Sequence, residues 1–431
     1  MTELEPWPPI FPSFGVSRYS KVSPFQHLTA VRGDIRMRYV IARFVVASLF
    51  LFTTVVAFAD DAQPTTQAVP PIQWLPITGM DHQLFPSATI STATSKESFA
   101  YLVIKVSNIK AGSKVHATVK CDSLIDPSSV DIVPSRDASV LIVPIKANWK
   151  FDQLARVRQQ IPANFTYSLA IDGQELGEKM DTATVHSVND CLYELRDGAG
   201  NSKAFYPLFA AYVNEDHPQI DKILKVALAT GIVKQFDGYQ ANDPTDVVRQ
   251  VFAIWHTLQL KGIRYSDITD TPNESMKAIC QHVRFLDESI DNDQANCVDG
   301  SVLFASALQK IGLDAGLVII PNHHMFVIFY TDAARKHPIF LETTMLGLED
   351  IPQDRRNNTV ENFLAPAWKK KASAQTFIAS VKKGASEIEG YVAEEQKRKA
   401  TGNEVPAFVV VYIQDARKHG IMPIPFQEPA K

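Results

Sequence analysis

The chain has 431 residues, of which 45% are hydrophobic and 21% charged, with a formal net charge of -4. That is ordinary for a globular protein and leaves room for two or three domains with cores of their own. No basic block interleaved with aromatic residues occurs, which excludes nucleic acid from the expected partners.

Residues 44–59 form an apolar run of 16, with Arg38 and Arg43 just ahead and Ala57-Phe58-Ala59 at its exit. A basic lead, a short apolar stretch and an A-x-A exit make a secretory signal peptide. The run is short of the roughly 20 residues that a membrane span needs. The expectation is an exported protein, periplasmic or extracellular, touching a membrane only through an uncleaved signal. The residues before Met37 are Pro-rich and unpatterned, so Met37 is the expected true start, and residues 1–59 are read as a misannotated leader plus signal. Their removal leaves a formal charge of -7. Export permits disulfides among Cys121, Cys191, Cys280 and Cys297. A Cys121–Cys191 pair would tie the two halves together, whereas a Cys280–Cys297 bridge would abolish a Cys297 nucleophile.

Residues 60–89 are rich in Pro, Gln and Thr and read as a linker. From 90 to 188 the hydrophobic period is two. Short β-rich runs at 99–106, 114–120, 139–145, 165–171 and 183–188 are separated by turn signals such as Asp172-Gly173. This spacing predicts an all-β sandwich domain. It holds no catalytic cluster.

From 189 to 425 the period changes. Pro218 starts a helix capped by Asp216 or His217, with Ile220, Ile223, Leu224, Ala227 and Leu228 on one face and Gly231 at its end. Asp243 caps a second helix that buries Val248, Val251, Phe252, Trp255 and Leu258 and stops at Gly262. A third helix runs from Asn296, its N-cap, to Gly312. Its Cys297, Ser301, Phe304, Leu308 and Ile311 share one amphipathic face. Residues 315–320 read as a central strand, Pro321-Asn322-His323 as a turn, and 324–330 and 339–343 as partner strands. The polar stretch 372–402 reads as helical or loose, and 405–413 as a further strand.

Thiol, imidazole and carboxylate follow in order at Cys297, His324 and Glu342, each where an element begins or ends. A cysteine nucleophile, its base and the orienter of that base need this set. The N–H groups of a helix N-terminus favour a thiolate and can also receive an oxyanion. Asp299 works mildly against the thiolate. His324 opens a strand and is better anchored than His323 in the turn, and a base must be held within hydrogen-bond reach. Gln281 and Gln294 are oxyanion donors by residue type only. His323, His324, Glu342 and Asp299 could instead hold a metal. Adjacent histidines diverge on a strand, however, and no paired metal-ligand spacing occurs, so neither metal nor organic cofactor is expected.

The segment 296–330, beginning Asn296-Cys297-Val298-Asp299-Gly300-Ser301, followed by Phe340-Leu341-Glu342-Thr343-Thr344, resembles the bacterial branch of the transglutaminase-like superfamily, relatives of papain-like cysteine proteases and amidases. The likeness covers about 210–365 and leaves the β-rich region outside. It departs at Ala295, where the family has glycine, at His323, where it has a small residue, and at Glu342, where it usually has aspartate. The resemblance implies an α+β fold with a papain-like core of helix on antiparallel sheet. It also implies acyl chemistry through a thioester on a peptide or carboxamide bond, with transfer to water or an amine. The expected partner is a protein or peptide substrate, or a cell-envelope component. The alternative expectation is a non-catalytic protein- or cell-wall-binding module on the same scaffold.

Overall fold

The computed structural model describes residues 72–95, 99, 101–196, 201–266, 272–274, 278–351, 360–403 and 405–425. The leader, the apolar run 44–59 and the first part of the expected linker lie outside these. The fold is of mixed α+β class, with helices and, among the described residues, five sheets. Among the described residues no helix is long and apolar enough to cross a membrane.

The period-two region forms two sheets. One has three antiparallel strands, Trp74–Thr78, Leu102–Ile109 and Ala138–Pro144, in that order. The other has six, in the order Gln83–Leu84, Gln174–Val185, Ile161–Ile171, Val115–Cys121, Ile125–Ile132 and Asn148–Trp149. Alternation sends Val115, Ala117 and Val119 inward from one strand and Phe165, Tyr167 and Leu169 from its neighbour. They share a core with Ile104 and Val106 of the smaller sheet. The Asp172-Gly173 turn closes the longest hairpin with φ of 51° and 82°, the paired positive angles that fit the strand twist.

Two elements depart from expectation. Residues 74–78, placed in the linker, are a strand in which Trp74, Pro76 and Thr78 are buried. The Thr78 hydroxyl is 2.7 Å from the Tyr167 hydroxyl of the larger sheet. Five alternating residues were masked by their Pro-, Gln- and Thr-rich surroundings. Gln174–Val185 is a full strand, although most of its side chains are polar and exposed. Its pairing with Ile161–Ile171 supplies what its composition does not.

Three helices begin as their caps dictate. The His217 ring accepts from the Gln219 amide at 3.2 Å, and Asp243 Oδ1 from the Thr245 amide at 2.8 Å. Asn296 Oδ1 accepts from the amides of both Val298 and Asp299 at 2.9 Å. Asp299 reaches back to the Asn296 amide and completes a capping box. The helix Cys297–Lys310 is not amphipathic: every residue from Val298 to Gln309 is buried. One side packs on a four-stranded antiparallel sheet, and Phe304 meets Trp255 of the helix Pro244–Leu260 on another. The few polar side chains it carries inward turn back on the helix or pair, as Ser301 and Ser306 do with carbonyls one turn earlier.

That sheet runs in the order Pro338–Leu341, His324–Tyr330, Ala315–Ile320, Val409–Tyr412. Met325, Val327 and Phe329 face the cysteine helix and the main core. Phe326, Ile328 and Tyr330 face the other way, onto Ile388 of a 29-residue helix, Ala372–Ala400, in the stretch expected only to be helical or loose. The long helix comes close because of Gly384, where a Cβ would lie 2.7 Å from the Phe340 carbonyl oxygen. Gly390, farther along the same helix, has nothing within 4 Å of that position. Gly384→Ala will therefore lower stability by about 1–3 kcal/mol through overpacking against backbone. Gly390→Ala will raise it by up to about 1 kcal/mol through helix propensity. Denaturant unfolding of the two variants checks this, and equal effects would contradict the close approach.

Candidate active site

Cys297 is the first residue of its helix and is half-buried. The cap engages the Val298 and Asp299 amides, and the Gly300 amide bonds the Asn296 carbonyl. Of the first-turn donors this leaves the Cys297 amide beside the thiol. Asp299 does not confront the thiol with a bare charge. Its fully buried carboxylate pairs with the Arg284 guanidinium at 2.8 Å and accepts from the Arg284 amide at 2.9 Å.

His324 begins its strand directly after the turn at Pro321-Asn322-His323, where Asn322 takes a φ of 56°. His323 is exposed, and its amide closes the turn on the Ile320 carbonyl. Glu342 lies one residue past the end of Pro338–Leu341, so it falls on the same side of the sheet as His324. His324 Nε2 and Glu342 Oε2 are 2.6 Å apart, and the Glu342 side chain has no exposed surface. Glu342 Oε1 accepts from the amide and the hydroxyl of Thr344 at 3.0 and 2.7 Å. Ser380 of the long helix donates its hydroxyl to the Glu342 carbonyl at 2.8 Å. From the opposite side, Thr343 lies against Gly300, where a Cβ would stand 2.9 Å from the threonine hydroxyl oxygen. The carboxylate turn is thus clamped between the cysteine helix and the long helix.

Cys297 and His324 line one cleft of about 140 Å³, with Tyr193, Phe209, Gln281 and Asn322 among its walls. Tyr193 stacks with Tyr206 and Phe209 at 6.1 and 5.7 Å between centroids and donates its hydroxyl to Asn322. Glu342 occupies Nε2, so Nδ1 is the ring nitrogen open to the thiol. Burial opposes a charge on His324, but its hydrogen bonds to Cys297 and Glu342 outweigh burial and push its pKa up to about 10. Burial likewise opposes the charge on Glu342, and its bonds to His324 and Thr344 hold it well below the usual carboxylate range.

The structure thus brings Cys297, His324 and Glu342 to one end of the sheet and leaves Asp299 and His323 out of the constellation. Gln281 lines the cleft, while its amide donates to the His282 carbonyl at 3.1 Å. Gln294 lies in a short strand beside Arg264–Tyr265 instead. Ala295 faces Gly300 and is not a wall of the cleft. The four thiols are unbridged. Cys121 is buried in the six-stranded sheet and Cys191 in the strand Asp190–Arg196, and neither of the two pairings that the sequence left open is present.

Glu387 of the long helix was not foreseen. Its Oε2 is 3.8 Å from His324 Nε2, is buried, and has no hydrogen-bond partner. With His324 and Glu342 it forms a set of donor atoms all within 4.8 Å. The 2.6 Å His324–Glu342 contact leaves no space for a cation between those two atoms. Burial and the neighbouring Glu342 charge push the Glu387 pKa up to about 7, against the pull of His324 and of Lys383 one turn earlier. The pattern Phe377, Val381, Gly384, Ile388 marks the inward stripe, and Glu387 sits on its border. In the sequence it lies within the polar stretch 372–402, read only as helical or loose.

No protein-family model and no curated protein matches this chain.

Because its pKa is raised on folding, Glu387 stabilises the fold while protonated, and that contribution is lost as pH rises through about 7. His324 gains a partner, so its contribution persists to higher pH and is lost through about 10. The His324 ring signals in an NMR titration will therefore move near pH 7 while the ring keeps its proton. Glu387→Gln will remove that step and leave the later one. A His324 ring that deprotonates near its ordinary value of about 6.5 would contradict the arrangement.

Proposed function

We infer that the chain is an exported cysteine-dependent acyl-transfer enzyme on a papain-like, transglutaminase-type core, with the N-terminal sheets forming a β-sandwich beside it. The observation that carries this reading is the buried 2.6 Å bond between His324 and Glu342, with Cys297 in the same cleft. An imidazolium next to a thiol at a helix N-terminus is the usual setting for a reactive thiolate. The residue order and the family-like segment around Cys297 point the same way, and the apolar run 44–59 supports export to the periplasm or beyond.

In this mechanism Cys297 attacks a peptide or side-chain carboxamide carbonyl, and the oxyanion is received by the Cys297 amide. His324 gives its proton to the departing amine, leaving a thioester. Water or a second amine, deprotonated by His324, then releases the acyl group and restores the thiol. Glu342 holds the ring in one orientation throughout. A 140 Å³ cleft walled by aromatic rings takes one side chain or an extended end, not a folded surface. The substrate class is accordingly a protein or peptide, with cell-envelope proteins as the accessible pool.

Incubation with peptide carboxamides and an amine acceptor, read by mass spectrometry, tests this. The expected result is an acyl adduct on Cys297 and released ammonia or peptide, abolished in Cys297→Ala. His324→Ala and Glu342→Gln should each lower turnover by about 100- to 10,000-fold. Peptide binding without adduct or product, unchanged in all three variants, would favour a non-catalytic binding module.

A further inference from the structure

A second convergence of donor side chains lies where the N-terminal sheets join the remainder of the fold. His186 follows the strand Gln174–Val185, Asp190 opens Asp190–Arg196, and Cys280 lies on the paired strand Ala278–His282. One donor atom from each falls within 4.8 Å of the others, and all three residues are buried. His186 Nε2 faces Gln83 Oε1 at 3.1 Å. A glutamine carbonyl only accepts, so Nε2 carries the proton and donates it. In the neutral ring Nδ1 is then a bare lone pair. It has no hydrogen-bond partner, the residue is 2% exposed, and Asp190 Oδ2 lies 3.5 Å away. Two acceptors face each other in a dry interior, with a thiol beside them. Such an arrangement is relieved by a cation placed between them.

We propose that His186, Asp190 and Cys280 bind one divalent metal ion of the zinc class, as a structural clamp between the N-terminal sheets and the strand leading to the cleft. Imidazole, carboxylate and thiolate form a donor set that suits this ion. Cys280 loses its proton to solvent on binding, His186 stays neutral, and the two negative ligands cancel the ion's charge, so the filled site is neutral and tolerates burial. The supporting contacts are also present. Gln83 fixes the His186 tautomer, Phe85 stacks on its ring with centroids 3.9 Å apart, and His282 Nδ1 contacts Asp190 Oδ1 at 3.2 Å. His282 is 37% exposed and marks the path for the ion and for a water in the fourth position. The site is separate from the cleft, although Gln281, next to Cys280, reaches it. The proposal does not depend on the catalytic reading of Cys297.

The test uses the full chain purified without chelator and titrated with Zn²⁺ and Co²⁺. Expected are about one equivalent of tightly held metal and a thiolate-to-cobalt charge-transfer band. The band should persist in Cys297→Ser and vanish in Cys280→Ser and His186→Ala. If those two variants fail to fold, X-ray absorption on zinc-loaded Cys297→Ser must show one sulfur among nitrogen and oxygen ligands. A strong chelator should lower the Tm of the loaded wild type. Absence of the cobalt band in folded wild type, or its loss in Cys297→Ser with retention in Cys280→Ser, overturns the proposal. A His186–Asp190 ion pair closed by a proton is then what remains.

Discussion

Glu342 is an ionised carboxylate whose side chain has no exposed surface. Such a group survives burial only with a compensating charge and its lone pairs satisfied. The ring of His324 supplies the charge, and Thr344 supplies two donors to the other oxygen. The requirement runs outward from there. The Glu-Thr-Thr turn must approach the cysteine helix at Gly300, and the long helix must approach the strand before it near Gly384. Those two contacts hold both faces of the central sheet at fixed distances from one carboxylate, and they fix where the imidazole can meet the thiol.

Charge placement around this bond is layered. Arg284 takes up Asp299, the one acid within the first turn of the cysteine helix, so the thiol faces the imidazole alone. Glu387 lies on the far side of that imidazole and ionises near neutrality. Below that point the His324–Glu342 pair is balanced. Above it a second negative charge tightens the hold of His324 on its proton. The cleft therefore has a built-in dependence on pH that originates in a residue outside the three-group constellation.

What could be read from the sequence was local. Caps at His217, Asp243 and Asn296 are set by the next three residues, and each forms. His324 and Glu342 were legible because each sits at the limit of an apolar run, where a polar group has a structural reason to be. The strand Trp74–Thr78 was hidden because its pairing partner lies about thirty residues on, and composition around it pointed to a linker. The cysteine helix looked one-sided because Ser301, Ser306 and Gly300 count as polar or neutral in a periodicity, although each is buried. Glu387 and the His186–Asp190–Cys280 cluster could not be read at all. Their members come from elements far apart in sequence, and only tertiary packing brings them together.

The central claim is that Cys297 is a reactive nucleophile because His324, held by Glu342, stands beside it. The most direct measurement is the rate of Cys297 alkylation at about pH 7 in the folded, reduced protein, with Cys297→Ala as the blank. The account predicts alkylation at least about tenfold faster than that of a free thiol such as glutathione, falling towards that rate in Glu342→Gln and His324→Ala. A wild-type rate no faster than that of the free thiol, and unchanged in the two variants, would contradict it.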